Sequence, residues 1–291
     1  MRYSEHDLRV NGITLHYLRW LPDGPPRPPL VLHHATGFCA RVLRAVAEPL
    51  AADYDVYAVD RRGHGRTDKP APTMPPGPQG GYDFGAYLGD TSEYLDALGL
   101  RDVYAVGHSG GATELLMAAG ERPDLVSRIL AIEPIVPQHP PPPSPPGGNS
   151  MGEMTRRRKA VFESREAVRE RFSARPPFAR FQPGVLNDYV QYGFHDLPAG
   201  GVTLACPPDC EAVMYESSGV HDAAPSLRKV RCPVHILVGS DSGGGYRPMC
   251  EYAQTLIPQA TLETVPHGTH FLPMEQPGLL VRKILAFAAT A

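Results

Sequence analysis

Gly107-His108-Ser109-Gly110-Gly111 is the stretch of this 291-residue chain most plainly suited to covalent chemistry. It is a G-x-S-x-G pattern set between an apolar, strand-like run, Val103–Val106, and a helix-like run, Gly110–Gly120. A turn that sharp has no room for side chains at its flanks, hence the glycines, and it holds the hydroxyl clear of the strand end. The Gly110 N–H opens the helix and is placed to donate to a developing oxyanion. A hydroxyl is a weak nucleophile and needs a base. His270, in Gly268-Thr269-His270-Phe271, is the favoured base, and His267, three residues earlier, competes with it. His108 adjoins the serine, but neighbours at such a turn point apart. His33 and His34 end a strand and are expected to satisfy local backbone groups. The small-residue loop His34-Ala35-Thr36-Gly37-Phe38 supplies Thr36 as the expected second oxyanion donor. Together these residues suit nucleophilic attack on an acyl carbon.

Such residues meet only if strands deliver them to one edge of a sheet. Asp7–Val10 and Ile13–Arg19 flank the hairpin pair Asn11-Gly12. Leu30–Leu32, Val56–Val59, Val103–Val106 and Ile129–Ile132 read as short buried strands, with helical spacing over Val42–Ala51, Phe84–Leu98 and Gly110–Gly120. The alternation then stops. Pro137–Gly148 is mostly proline, Pro140–Pro143 is consecutive, and Arg156–Phe172 reads as one charged helix. Alternation resumes with Val234–Val238, Met249–Leu256, Thr261–Val265 and Leu279–Ala288. The pattern predicts an α/β fold in two parts, 1–136 and 228–291, with 137–227 inserted as a cap over the carboxyl ends of parallel strands. His221-Asp222, near the end of the insertion, is either a pocket pair or a polar turn.

Composition excludes other classes. A net charge of −3 gives no basic surface for nucleic acid or anionic membrane. Proline, 33 residues, is about twice its usual ~5% share and must collect in loops or the insertion. No apolar run approaches the ~20 residues of a membrane span, and the polar start Met1–Asp7 is no signal peptide. A soluble, cytoplasmic protein is expected. Cys206 and Cys210 are spaced like a metal pair, but no second Cys/His pair lies nearby, so reduced cysteines and no metal are expected.

The loop His34–Phe38, the run Asp60-Arg61-Arg62-Gly63-His64-Gly65-Arg66-Thr67, the serine turn and Gly268–Phe271 occur in an order that resembles the α/β-hydrolase superfamily, over Met1–Glu133 and Val230–Ala291. The resemblance implies a mostly parallel central sheet with helices on both faces, an inserted, mainly helical cap, and a triad in the order Ser, acid, His. Dehalogenases and epoxide hydrolases of this fold use Asp as nucleophile. Ser109 in that place implies an acyl-serine, and hence hydrolysis of a carboxylic ester or lactone, partly apolar, with no cofactor. A C–C bond or thioester hydrolase with the same triad is the rival enzyme, and a non-catalytic ligand-binding or signalling protein is the rival from another class. Two acids compete. The usual superfamily position follows Val234–Val238, where Asp241 stands one place early beside Gly243-Gly244-Gly245. Glu133 ends the strand Ile129–Ile132, 24 residues after Ser109, as in certain lactonases of the superfamily. Glu133 is favoured, because an ionised group ending a buried strand needs a partner such as a histidine cation.

Overall fold

The computed structural model describes residues 3–21, 24–72, 81–138 and 151–290. The proline run Pro140–Pro143 lies outside the described residues. Asn11-Gly12 turns β1 (Tyr3–Val10) onto β2 (Ile13–Trp20), both turn residues taking the positive φ that a two-residue hairpin demands. Then come β3 (Pro29–His33), α1 (Arg44–Leu50), β4 (Asp55–Val59), α2 (Phe84–Ala97), β5 (Val103–His108), α3 (Gly110–Glu121) and β6 (Val126–Ile132). The Asp83 carboxylate caps α2 by accepting from the Ala86 N–H at 2.8 Å, and Gly99, at φ 65°, ends it.

The next stretch carries α4 (Met151–Arg156), β7 (Val161–Phe162), α5 (Arg165–Ser173), α6 (Pro183–Tyr192), β8 (Phe194–Asp196), β9 (Val202–Leu204) and α7 (Pro208–Val220). The expected single helix Arg156–Phe172 is therefore two helices with a strand between them. The Ser164 hydroxyl accepts from the Ala167 N–H at 3.2 Å and starts a new helix there, while Val161 and Phe162 pair with β9. Here β7, β9 and β8 form a small antiparallel sheet that the sequence reading did not anticipate. The chain returns through α8 (Ala224–Leu227), β10 (Val234–Gly239), α9 (Tyr246–Leu256), β11 (Ala260–Val265), α10 (Leu272–Glu275) and α11 (Pro277–Ala288).

The main sheet has the order β1-β2-β4-β3-β5-β6-β10-β11, and among the described strands only β2 runs against the rest. Its central strands are apolar on both faces, as parallel strands covered by helices must be. Leu30, Leu32, Val56, Ala58, Leu130 and Ile132 face α1 and α11, whereas Val31, Tyr57, Ile129 and Ala131 face α2, α3 and α9. The first of these apolar layers continues without a break into Phe162, Phe172, Phe181, Tyr189 and Phe194. Among the described residues, no helix is long and apolar enough to cross a membrane.

Candidate active site

Loops at the carboxyl ends of β3, β4, β5, β6, β10 and β11 converge on one cavity of about 880 Å³. Ser109 stands where β5 turns into α3, at φ 57° and ψ −126°, a backbone state that L-residues rarely adopt. The turn is as tight as its glycines imply. A Cβ on Gly107 would lie 2.5 Å from Ala112 Cα, and one on Gly111 would lie 2.6 Å from the His34 carbonyl oxygen. Ser109 and His270 both line the cavity.

His270 is fixed from several sides. Its Nδ1–H donates to Glu133 Oε2 at 2.7 Å. Glu133, wholly buried just beyond β6 at φ 45°, receives two more donors at Oε1, the Gly239 N–H at 2.8 Å and the Ser242 hydroxyl. A buried carboxylate is tolerable when it is this fully satisfied. His108 Nε2–H donates to the His270 carbonyl at 2.6 Å. Burial, with His270 nearby, drives the His108 imidazole well below its ordinary pKa, so this ring stays neutral. Tyr246 lies flat on the His270 imidazole, centroids 3.9 Å apart and planes 11° from parallel.

The competing residues are elsewhere. Asp241 is exposed and accepts from the Ser240 hydroxyl at 2.7 Å. His267 is exposed, and its carbonyl accepts from Arg180 Nη2 at 2.9 Å. His221 and Asp222 are not among the cavity-lining residues; the His221 ring packs 5.3 Å from that of Phe84, and Asp222 accepts from the Ala224 N–H. Cys206 and Cys210 are buried thiols, and Cys210 Sγ accepts from the Tyr82 hydroxyl at 3.3 Å.

Thr36 and Gly110 sit side by side on the cavity wall. The gap left by the missing Gly110 side chain is closed by the Arg61 guanidinium and Thr36 Oγ1, 3.1 and 3.3 Å from where a Cβ would lie. Two neutral imidazoles knit the Thr36 loop to the one after β4. His34 donates to the Ala35 carbonyl at 2.8 Å and accepts from the Arg61 N–H at 3.1 Å. His64 donates to the Arg62 carbonyl at 2.9 Å and accepts from the Gly37 N–H at 3.0 Å. Burial lowers the pKa of both, that of His34 to about 4. His33, expected to bond backbone, instead meets the Tyr94 hydroxyl at 2.9 Å and Glu114 at 3.3 Å. From above, the Tyr189 hydroxyl donates to the Gly37 carbonyl at 3.1 Å.

Three arginines reach the cavity, and each is bonded to a carboxylate: Arg61 to Glu114, Arg158 to Glu211 and Arg180 to Glu275. Burial opposes ionisation of Glu114, but Arg61 and His33 together hold the carboxyl below its usual range. The remaining wall is largely aromatic and sulfur-bearing, including Phe38, Phe178, Phe271, Met214 and Met249.

Residues 30–283 match the profile of the Alpha/beta hydrolase family. The chain belongs to that family. Among known proteins it is 26% identical to 2-(acetamidomethylene)succinate hydrolase of Mesorhizobium japonicum over 248 residues, 84% of this chain and 83% of the relative. A crystal structure of E-2-(acetamidomethylene)succinate hydrolase superposes with a TM-score of 0.81 at 22% identity, covering 99% of this chain and 100% of that one. The enol-lactonase of Burkholderia xenovorans LB400 superposes at 0.74 with 18% identity, covering 98% and 100%. In this α/β-hydrolase the sequence places Ser242 where the family's acid usually stands, without foretelling its bond to Glu133, and gives no sign of the stacking of Tyr246 on His270. Both residues follow β10, the aromatic ring directly after three glycines.

Proposed function

We propose that this chain is a serine hydrolase that cleaves a carboxylic ester or lactone through an acyl-serine. The observation that carries the reading is the 2.7 Å bond between His270 Nδ1 and a Glu133 carboxylate that is otherwise fully satisfied, on the same cavity as Ser109. With Nδ1–H engaged, the other imidazole nitrogen is left basic and takes the Ser109 proton as the hydroxyl oxygen attacks the carbonyl. The Thr36 and Gly110 N–H groups hold the oxyanion. Collapse expels the alkoxide, which recovers the proton from the His270 cation. Water, deprotonated by His270, then attacks the acyl-serine and releases the acid and the free serine. Glu133 orients the ring and stabilises its cation.

The substrate follows from charge and surface. The relative's name contains a succinate, and three arginines here reach the cavity. Since each is matched by a carboxylate, no arginine or lysine among the described cavity residues is left over for a second acidic group. The aromatic wall favours a neutral, partly apolar molecule. Residues 137–227 form the cap in this reading, supported by Met151, Arg158, Phe178, Tyr189 and Met214 on the cavity wall. A panel of p-nitrophenyl esters, lactones and vinylogous diketones, with Ser109→Ala as the blank, tests the proposal. Turnover confined to the diketones would favour C–C cleavage, and tight binding without turnover would favour the ligand-binding rival.

A further inference from the structure

We propose that Tyr246 is a positioning residue for the reaction: its ring face holds the His270 imidazole flat and attracts that ring more strongly as a cation than as a neutral base. The inference rests on the reading of Ser109 and His270 as nucleophile and base. The rings lie 3.9 Å apart, nearly parallel, close enough for face-to-face contact over the whole imidazole. An aromatic face carries negative quadrupole charge and attracts a cation placed over it. His270 is neutral before the serine attacks and positive in the transition state. The contact therefore strengthens as the reaction proceeds, the condition under which an interaction raises kcat rather than lowering KM.

The surroundings leave this work to Tyr246. Glu133, at the end of β6, stabilises the cation through the ring edge at Nδ1. His108, at the end of β5, has its ring centroid 4.9 Å away and remains neutral, so it adds no opposing charge. Phe271 meets the imidazole at 75°, centroids 5.3 Å apart. Beyond these, Ser109 shares the cavity wall, Asp241 bonds to the Gly268 carbonyl through its N–H, and Arg180 and Glu275 bond to the backbone of His267 and Thr269. Of the groups named, Tyr246 is the one stacked face to face on the ring.

The test needs no natural substrate. Ser109 is labelled with a fluorophosphonate from pH 5 to 9, the adduct rate is followed by mass spectrometry, and p-nitrophenyl acetate hydrolysis is measured in parallel. Tyr246→Leu is expected to lower the plateau labelling rate and kcat about three- to thirty-fold. KM should stay within threefold, and the acidic limb of the rate profile should move to lower pH, because the cation loses a stabilising neighbour. Tyr246→Phe keeps the ring face and should match the wild type within twofold. Tyr246→Met is the second non-aromatic variant, should Tyr246→Leu fold poorly by circular dichroism. Three results would overturn the proposal: an unchanged rate and limb in both non-aromatic variants, a KM effect with kcat unaltered, or a Phe variant as slow as the Leu variant. Absence of a Ser109 adduct on the wild type would instead overturn the serine-hydrolase reading, and this proposal with it.

Discussion

Each residue of the proposed triad carries a separable expectation. Ser109→Ala should lower kcat on the best ester of the panel by on the order of 10⁶ while circular dichroism stays unchanged. Glu133→Gln should cost roughly 10⁴, because the amide oxygen is held by the Gly239 N–H and the Ser242 hydroxyl, which leaves an NH₂ facing Nδ1 and imposes the wrong tautomer on His270. Asp241→Asn, at an exposed carboxylate bonded to Ser240, should stay within twofold. Parallel kcat measurements decide the matter, and a dead Asp241→Asn beside an active Glu133→Gln would reverse the assignment. Ser109 and the tightness of its turn were legible in the sequence because the steric demand is local: Gly107 and Gly111 answer to atoms within a few residues or on the adjoining strand. Tyr246 was not legible. Its stacking depends on how the loop after β10 folds back across the sheet edge, and three preceding glycines say nothing about where the ring lands.

The elements of the main sheet were legible for the same reason that they are stable. Runs such as Val56–Val59 and Ile129–Ile132 are apolar on both faces, and only a sheet covered by helices on each side buries them. The elements between β6 and β10 were less so, since β7 has two residues and β8 and β9 have three each, too few for a period to show. The elbow between β5 and α3 makes a prediction at this scale. Gly107→Ala places a methyl 2.5 Å from the Ala112 backbone, which no rotamer change relieves. Overpacking of this kind costs about 1–3 kcal/mol, and more where the backbone itself must shift. Urea denaturation should show the loss as a lower midpoint, with the fluorophosphonate adduct lost as well. A midpoint equal to the wild type would mean that the turn is looser than its geometry.

For the whole molecule, acidity is the stress to which this architecture is most exposed. His34, His64 and His108 are buried as neutral rings with lowered pKa. An unfolded histidine takes up a proton near pH 6.5, whereas folded His34 resists until about 4. Its contribution to stability is thus complete above pH 6.5 and is lost as pH falls toward 4, about 3 kcal/mol in all. His64 and His108 act in the same direction. The urea midpoint should therefore fall steeply between pH 7 and 5, and His34→Gln should flatten that slope. A midpoint that holds constant to pH 5 would contradict the neutral-ring bonding at the Thr36 loop. The unbroken aromatic layer from the sheet through Phe38 to Phe178, Phe181 and Tyr189 also ties the 137–227 segment to the core. Excising that segment should collapse the fold rather than merely open the cavity, with loss of the cooperative urea transition as the sign.

Placing the carboxylate at Glu133 has an engineering corollary for Gly243-Gly244-Gly245. These residues border the cavity, and open space lies where each side chain would project. Gly244, at φ 67°, resists substitution, but Gly243 and Gly245 do not take that conformation. In this reading neither bears on the proton relay, while Ser242 beside them is left alone. A saturation library at these two positions should redistribute preference among esters of different acyl bulk, with every folded variant still forming the Ser109 adduct. In this reading, a loop relieved of a charged duty can be retuned at Gly243 and Gly245, provided that Ser242 and Tyr246 on either side keep their contacts with Glu133 and His270.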